Sequence, residues 1–142
     1  MTDAMHPFQC AVEARDTAAI ESSLADDVVF SSPNTFRPHR GKPITAAFLR
    51  AVLRVLDDFH YVRQISDSDG ADHVFVFEAR IGDVEVFGCD LVHCDGDGKI
   101  DDFVVMVRPL SAANALQVAM GAEMERIQHE ATMTVESDRK EA

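Results

Sequence analysis

Between residues 59 and 109 the chain reads as a run of strands that are apolar on both faces. They span about 59–66, His73–Ile81, Val84–Cys94 and Ile100–Pro109. The connections are Asp67-Ser68-Asp69-Gly70, Gly82-Asp83 and Asp95-Gly96-Asp97-Gly98. Turns this short join sequential neighbours as antiparallel hairpins. Phe75, Phe77 and Ile81 alternate with Val74 and Val76, and Phe103, Val105 and Val107 alternate with Val104 and Met106. A sheet apolar on both sides needs two covers. Helices of the same chain supply one; a second subunit is the simplest other, so a homodimer through the outer sheet face is expected.

Helical patterns flank the strands. Pro7 suits the first turn of a short helix with Phe8, Ala11 and Val12 inward. Asp16 can cap a second, with Ala19, Ile20 and Leu24 inward. Val28–Ser32 reads as a short strand ended by Pro33-Asn34, and 36–42 as a loop. From Pro43, Ile44, Ala47, Phe48, Ala51, Val52, Val55 and Leu56 keep helical spacing, with Arg50 and Arg54 on the polar side. After Ser111 a last helix carries Leu116, Met120, Met124 and Ile127. Segregated helices and strands give an α+β class, with one domain over 1–130 and a polar tail, 131–142, expected to be disordered.

One residue violates the apolar pattern. Side chains alternate along a strand, so Asp90 shares a face with Val84, Val86, Gly88 and Val92. A carboxyl there must pair, neutralise or serve a site. Arg63, Arg80 and Arg108 are the candidate structural partners. In a dry pocket the carboxyl would instead stay protonated and donate a hydrogen bond to a ligand carbonyl, a strategy for which ketosteroid isomerase is the worked precedent.

Three segments carry a family likeness: Leu24-Ala25-Asp26-Asp27-Val28-Val29-Phe30-Ser31-Ser32-Pro33, Arg40-Gly41-Lys42-Pro43-Ile44, and Gly98-Lys99-Ile100 entering the last strand. The chain resembles the nuclear-transport-factor-2-like superfamily over roughly residues 5 to 127, including its SnoaL-like and ketosteroid-isomerase-like branches. The resemblance implies a curved antiparallel sheet wrapped around the N-terminal helices into a cone with an internal pocket, plus a C-terminal helix. Against the isomerase pattern, Asp90 matches the oxyanion-hole aspartate, while Ser32 stands at the general-base aspartate and Phe8 at the oxyanion-hole tyrosine. Val104 stands where the epoxide hydrolases place an aspartate. One matching position out of three implies a pocket with an acid and no assigned base.

The cone fold implies a lining of Phe8, Phe30, Phe48, Val52, Val86, Gly88, Phe103, Val105 and Val107, with Ser32 and Asn34 orienting a ligand and His60 at the rim. The expected ligand is a small apolar molecule bearing a carbonyl or hydroxyl, of polyketide, steroid or terpenoid type. Any chemistry would be of isomerase, cyclase or dehydratase type, without a cofactor. The alternative is a non-catalytic dimeric interaction module with a vestigial cavity. His93 faces away from Asp90 by strand alternation.

No metal site is expected. His93-Cys94-Asp95-Gly96-Asp97-Gly98-Lys99-Ile100 looks like a calcium loop, but His93 occupies the first ligand position and Val104 the position of the bidentate glutamate. Cys10, Cys89 and Cys94 are an odd set without repeated spacing, which favours free thiols and a cytoplasmic, reducing setting. The first residues show no secretory pattern, and no apolar run reaches the ~20 residues of a membrane span. With 13 Lys and Arg against 25 Asp and Glu, a net charge of −12 makes nucleic acid and anionic membrane poor partners.

Overall fold

The computed structural model describes residues 5–141, with side chains placed as far as Ser137. The elements run α1 (Pro7–Glu13), α2 (Thr17–Ser22), β1 (Leu24–Ser31), β2 (His39–Arg40), α3 (Lys42–Val55), β3 (Asp57–Ser66), β4 (Asp72–Ile81), β5 (Val84–Cys94), β6 (Ile100–Arg108) and α4 (Leu110–Glu141). Six strands form one sheet in the order β2-β1-β6-β5-β4-β3. β3 to β6 are the expected antiparallel hairpin series. β1 joins the far side of β6 in parallel, with Phe30 opposite Phe103, and β2 returns antiparallel to it.

The helix starts follow local chemistry. The imidazole Nδ1 of His6 accepts from the Phe8 N–H at 3.1 Å, and Pro7 occupies the first turn of α1, where a missing N–H costs nothing. Asp16 caps α2 by accepting from the Ala19 N–H at 3.1 Å. α2 ends at Ser22, so Leu24, expected on the helix, instead opens β1 opposite Ile100. His39 and Arg40, expected in a loop, form the short edge strand.

Alternation along β4, β5 and β6 sends Phe75, Phe77, Val92 and Phe103 into the core, each at most 2 % exposed. They meet Phe8 of α1, Phe48 of α3, and Leu116 and Met120 of α4. The outer sheet face carries Leu91, Met106 and Ile65, each 40–52 % exposed.

The C-terminal segment departs from the sequence expectation. α4 continues as helix to Glu141, where a disordered tail from 131 is expected. The stretch after Ser111 has no proline, and its single glycine, Gly121, is tolerated. Ala131 packs on the core, and Thr134 Oγ1 donates to the Glu130 carbonyl at 3.0 Å, as an interior helical threonine does. No described helix is long and apolar enough to cross a membrane.

Candidate functional site

A cavity of about 250 Å³ lies between the concave sheet face and helices α1, α3 and α4. Its wall is overwhelmingly apolar. Of the expected lining, Phe8, Phe30, Ser32, Asn34, Phe48, Val52, Asp90, Phe103, Val105 and Val107 reach it. The exposed lining residues Thr35, Gln117 and Gly121 mark where it opens.

Three expected positions fall elsewhere. His60 has its side chain 56 % exposed, near Glu78 at 3.4 Å and with Nδ1 2.8 Å from the Asp58 carbonyl. Tyr61 takes the inward direction on β3, so its neighbour must point out. Val86 is buried on the inner face but beyond the cavity wall. Gly88 is shielded by Phe77: a Cβ there would lie 2.6 Å from the Phe77 ring and 2.5 Å from the Met106 carbonyl oxygen.

Asp90 is 5 % exposed, and among the described residues no cation pairs with it. None of the candidate arginines forms an ion pair with it: Arg80 pairs with Asp58, Arg108 lies over the Phe87 ring, and Arg63 stands opposite Val76 on β4. The partner is Tyr61, whose hydroxyl donates to Asp90 Oδ2 at 2.8 Å. Burial pushes the Asp90 carboxyl up to about 7, and the Tyr61 hydrogen bond pulls the other way without offsetting it. Burial first, and the Asp90 charge second, drive the Tyr61 hydroxyl well above its ordinary range. Near neutral pH the pair therefore holds a transferable proton. With Tyr61 donating to one carboxyl oxygen, a proton on the other can be donated to a ligand.

Tyr61 is held rigidly. Its ring packs edge-on against Phe59 at 5.1 Å, Phe75 at 5.9 Å and Phe77 at 6.5 Å. Sequence reasoning missed it because the resemblance places the hydroxyl on α1, where Phe8 stands. The available signal was alternation: Phe59 and Tyr61 share one face of β3. His39, which the sequence groups with Arg40 and Lys42 in a small basic patch suited to a pocket mouth, has its imidazole on the cavity wall against the Phe48 ring at 4.5 Å.

Folding also gathers three potential metal ligands that spacing could not reveal. The ligand atoms of His6, His73 and Cys94 lie within 4.8 Å of one another. Protein hydrogen bonds already account for most of them. His73 Nε2 donates to the Gly70 carbonyl at 2.9 Å, so its Nδ1, 2.6 Å from Ser66 Oγ, accepts from that hydroxyl. His6 Nδ1 caps α1, which leaves the Nε2 proton facing Cys94 Sγ at 3.9 Å. A metal on His6 Nε2 would need that proton moved to Nδ1, against the Phe8 N–H. The cluster reads as a hydrogen-bonded plug beside Phe75. The loop at 95–98 is a hairpin turn in which Asp95 Oδ1 accepts from the N–H groups of Asp97 and Lys99. His93 lies on the outer side, held 2.6 Å from Asp101, which raises its pKa.

Residues 7–103 match the model of the SnoaL-like domain. Among solved structures, the chain is similar to a steroid delta-isomerase from Pseudomonas aeruginosa, with 38 % identity over 86 % of this chain and 89 % of that one and a TM-score of 0.80. It is equally similar in shape to an uncharacterized protein conserved in bacteria, with a cystatin-like fold, from Silicibacter pomeroyi: 32 % identity, 89 % and 93 % coverage, TM-score 0.81. An epoxide hydrolase of Mycobacterium tuberculosis, 22 % identical over 84 % and 91 % with a TM-score of 0.57, shares the fold. No protein among the curated ones matches the chain.

Proposed function

Because the chain belongs to the SnoaL-like family of cone-fold domains, we propose that its cavity binds a compact apolar molecule through a carbonyl or hydroxyl oxygen held by Asp90. The observation that carries this reading is a buried carboxyl, raised to about 7, opening onto an apolar cavity with a tyrosine as its partner. A cavity of about 250 Å³ lies just below the ~300–1,000 Å³ usual for small-molecule sites. A skeleton of one or two rings, of polyketide or terpenoid type, suits it better than a four-ring steroid.

Protonated Asp90 would donate to the ligand oxygen while Tyr61 donates to the carboxylate's other oxygen. Charge that develops on the ligand oxygen is then stabilised in a water-poor site, the requirement for enolisation in isomerase- or cyclase-type chemistry. No cofactor is invoked. The similarity to a steroid delta-isomerase supports this class of chemistry; Ser32 at the position of the ketosteroid-isomerase base argues against the mechanism which that resemblance implies.

The test uses 2-acetylnaphthalene, a two-ring ketone that can only accept. Calorimetry at pH 6 should detect binding to the native protein. Asp90→Leu should weaken it at least about fivefold, as expected for losing one buried donor worth roughly 1–3 kcal/mol. Equal affinity for both proteins would contradict the reading.

A second reading rests on the outer sheet face. Leu91, Met106 and Ile65 lie exposed together on this face, and a grouped apolar surface is the kind that marks association. We infer that two copies pair through this face. Free Cys10, Cys89 and Cys94 fit a reducing, cytoplasmic setting for that dimer. If the dimer alone is the function, Asp90→Leu leaves every property of the assembly unchanged.

A further inference from the structure

The cavity is polar at two places, and apolar between them. Asp90 and Tyr61 form one pole, on β5 and β3. The other lies at β2, where His39 faces the same space. In the sheet order β2-β1-β6-β5, His39 and Asp90 are three strands apart, about 14 Å measured along a flat sheet at ~4.8 Å per strand. The sheet's curvature shortens that path, since both side chains line one cavity. Phe30 and Phe103, 5.7 Å apart by ring centroids, form the wall between the poles.

His39 is half-buried and held by ring packing. Its ring packs 4.5 Å from Phe48 and 6.4 Å from Phe30. Among the described residues no hydrogen bond or ion pair engages either ring nitrogen. An imidazole has at least one N–H to donate in either protonation state. Of the neighbouring polar groups, Ser32 Oγ and Thr35 Oγ1 bond each other at 3.2 Å, while the Asn34 amide also reaches the cavity wall.

The segment that carries His39 is charged unlike the chain as a whole. Residues 36–42 hold Arg37, Arg40 and Lys42 and no acid, in a protein of net charge −12. A local positive field of this kind favours an anionic group at the adjacent end of a ligand.

We propose that His39 is a second anchor of the cavity, and that the natural ligand is a compact keto or hydroxy acid: a carbonyl or hydroxyl at the Asp90 end, an apolar body along Phe30 and Phe103, and a carboxylate at the His39 end. The proposal rests on the binding reading above and adds the identity of the ligand's far end. His39 acts here in recognition; no proton transfer is assigned to it.

The experiment compares two probes, 2-acetylnaphthalene and 6-acetyl-2-naphthoic acid, which differ by one carboxylate at the end opposite the ketone. Calorimetry at pH 6 gives the ratio of their dissociation constants for native protein and for His39→Phe, which keeps an aromatic ring against Phe48. Thermal melts confirm that the variant folds; if it does not, His39→Leu replaces it. The expected result is a native ratio of at least 10 in favour of the acid, falling to about 1 in the variant. Raising the salt concentration should also shrink the native ratio. A native ratio near 1, or a ratio that survives loss of the imidazole, overturns the second anchor while leaving the ketone site standing. Failure of both probes to bind native protein overturns the ketone site and this proposal together.

Discussion

Asp90 shows how one side chain couples stability to function. Its carboxyl titrates near 7 in the folded chain against an ordinary 3.8. Between these values the folded state holds a proton that the unfolded state has lost, so stability falls as pH rises and levels off above about 7. Asp90→Asn removes that dependence and keeps an acceptor for Tyr61. The stability difference, variant minus native, should therefore grow between pH 5 and pH 8. Two units of the shift fall in that window, on the order of 3 kcal/mol at 1.36 kcal/mol per unit. Urea unfolding at the two pH values measures it; a constant difference would mean an ordinary carboxylate. Tyr61→Phe removes the hydrogen bond that lowers the Asp90 pKa, so the carboxyl should titrate higher still, visible in its carbon NMR shift. The acid was legible in the sequence because a carboxyl interrupts an alternating apolar face. Its partner was not, because Tyr61 reaches it across β4, from a strand 29 residues earlier.

Elements hold that pair in place through contacts that sequence patterns do not contain. Strand boundaries followed alternation and turn chemistry closely, since Asp95-Gly96-Asp97-Gly98 and Gly82-Asp83 are strong local signals. The parallel union of β1 with β6 was invisible, because nothing local to 24–31 specifies a partner seventy residues away. The same holds for α3 on α4. Arg54 and Arg50 read as a solvated helix face, yet Arg54 Nε donates to Glu123 at 2.7 Å and Arg50 lies 3.6 Å from Glu130. Both Arg54 and Glu123 are at least three-quarters buried. Arg54→Ala should cost about 1.5–3 kcal/mol, the range for a hydrogen bond between charged groups, in urea unfolding. Gly88 is the sharper case. A methyl group there meets the backbone oxygen of Met106 as well as Phe77, so Gly88→Ala should cost at least ~1–3 kcal/mol, as overpacking does, and displace the strand that carries Asp90. A variant as stable as the native chain would mean that β5 and β6 are not paired as described.

For the whole molecule, two surfaces carry the functional readings, one concave and one convex. On the outer face, Met106→Glu should convert a dimer to monomer in sedimentation with little change in secondary structure, because Met106 is 52 % exposed in the single chain; a monomeric native protein would remove that reading. The cone, its cavity and most of its lining were legible from alternation and family likeness together. His60, expected at the rim, stays on the surface outside the lining because Tyr61 takes the inward direction on β3. The concave face holds the central claim, that a buried acid acts as a proton donor to a ligand oxygen. The most direct measurement is the affinity for 2-acetylnaphthalene between pH 5 and pH 8.5. Native affinity should fall through a midpoint near 7, as Asp90 loses its proton, with Asp90→Asn flat across the range. A native profile that is equally flat would contradict it.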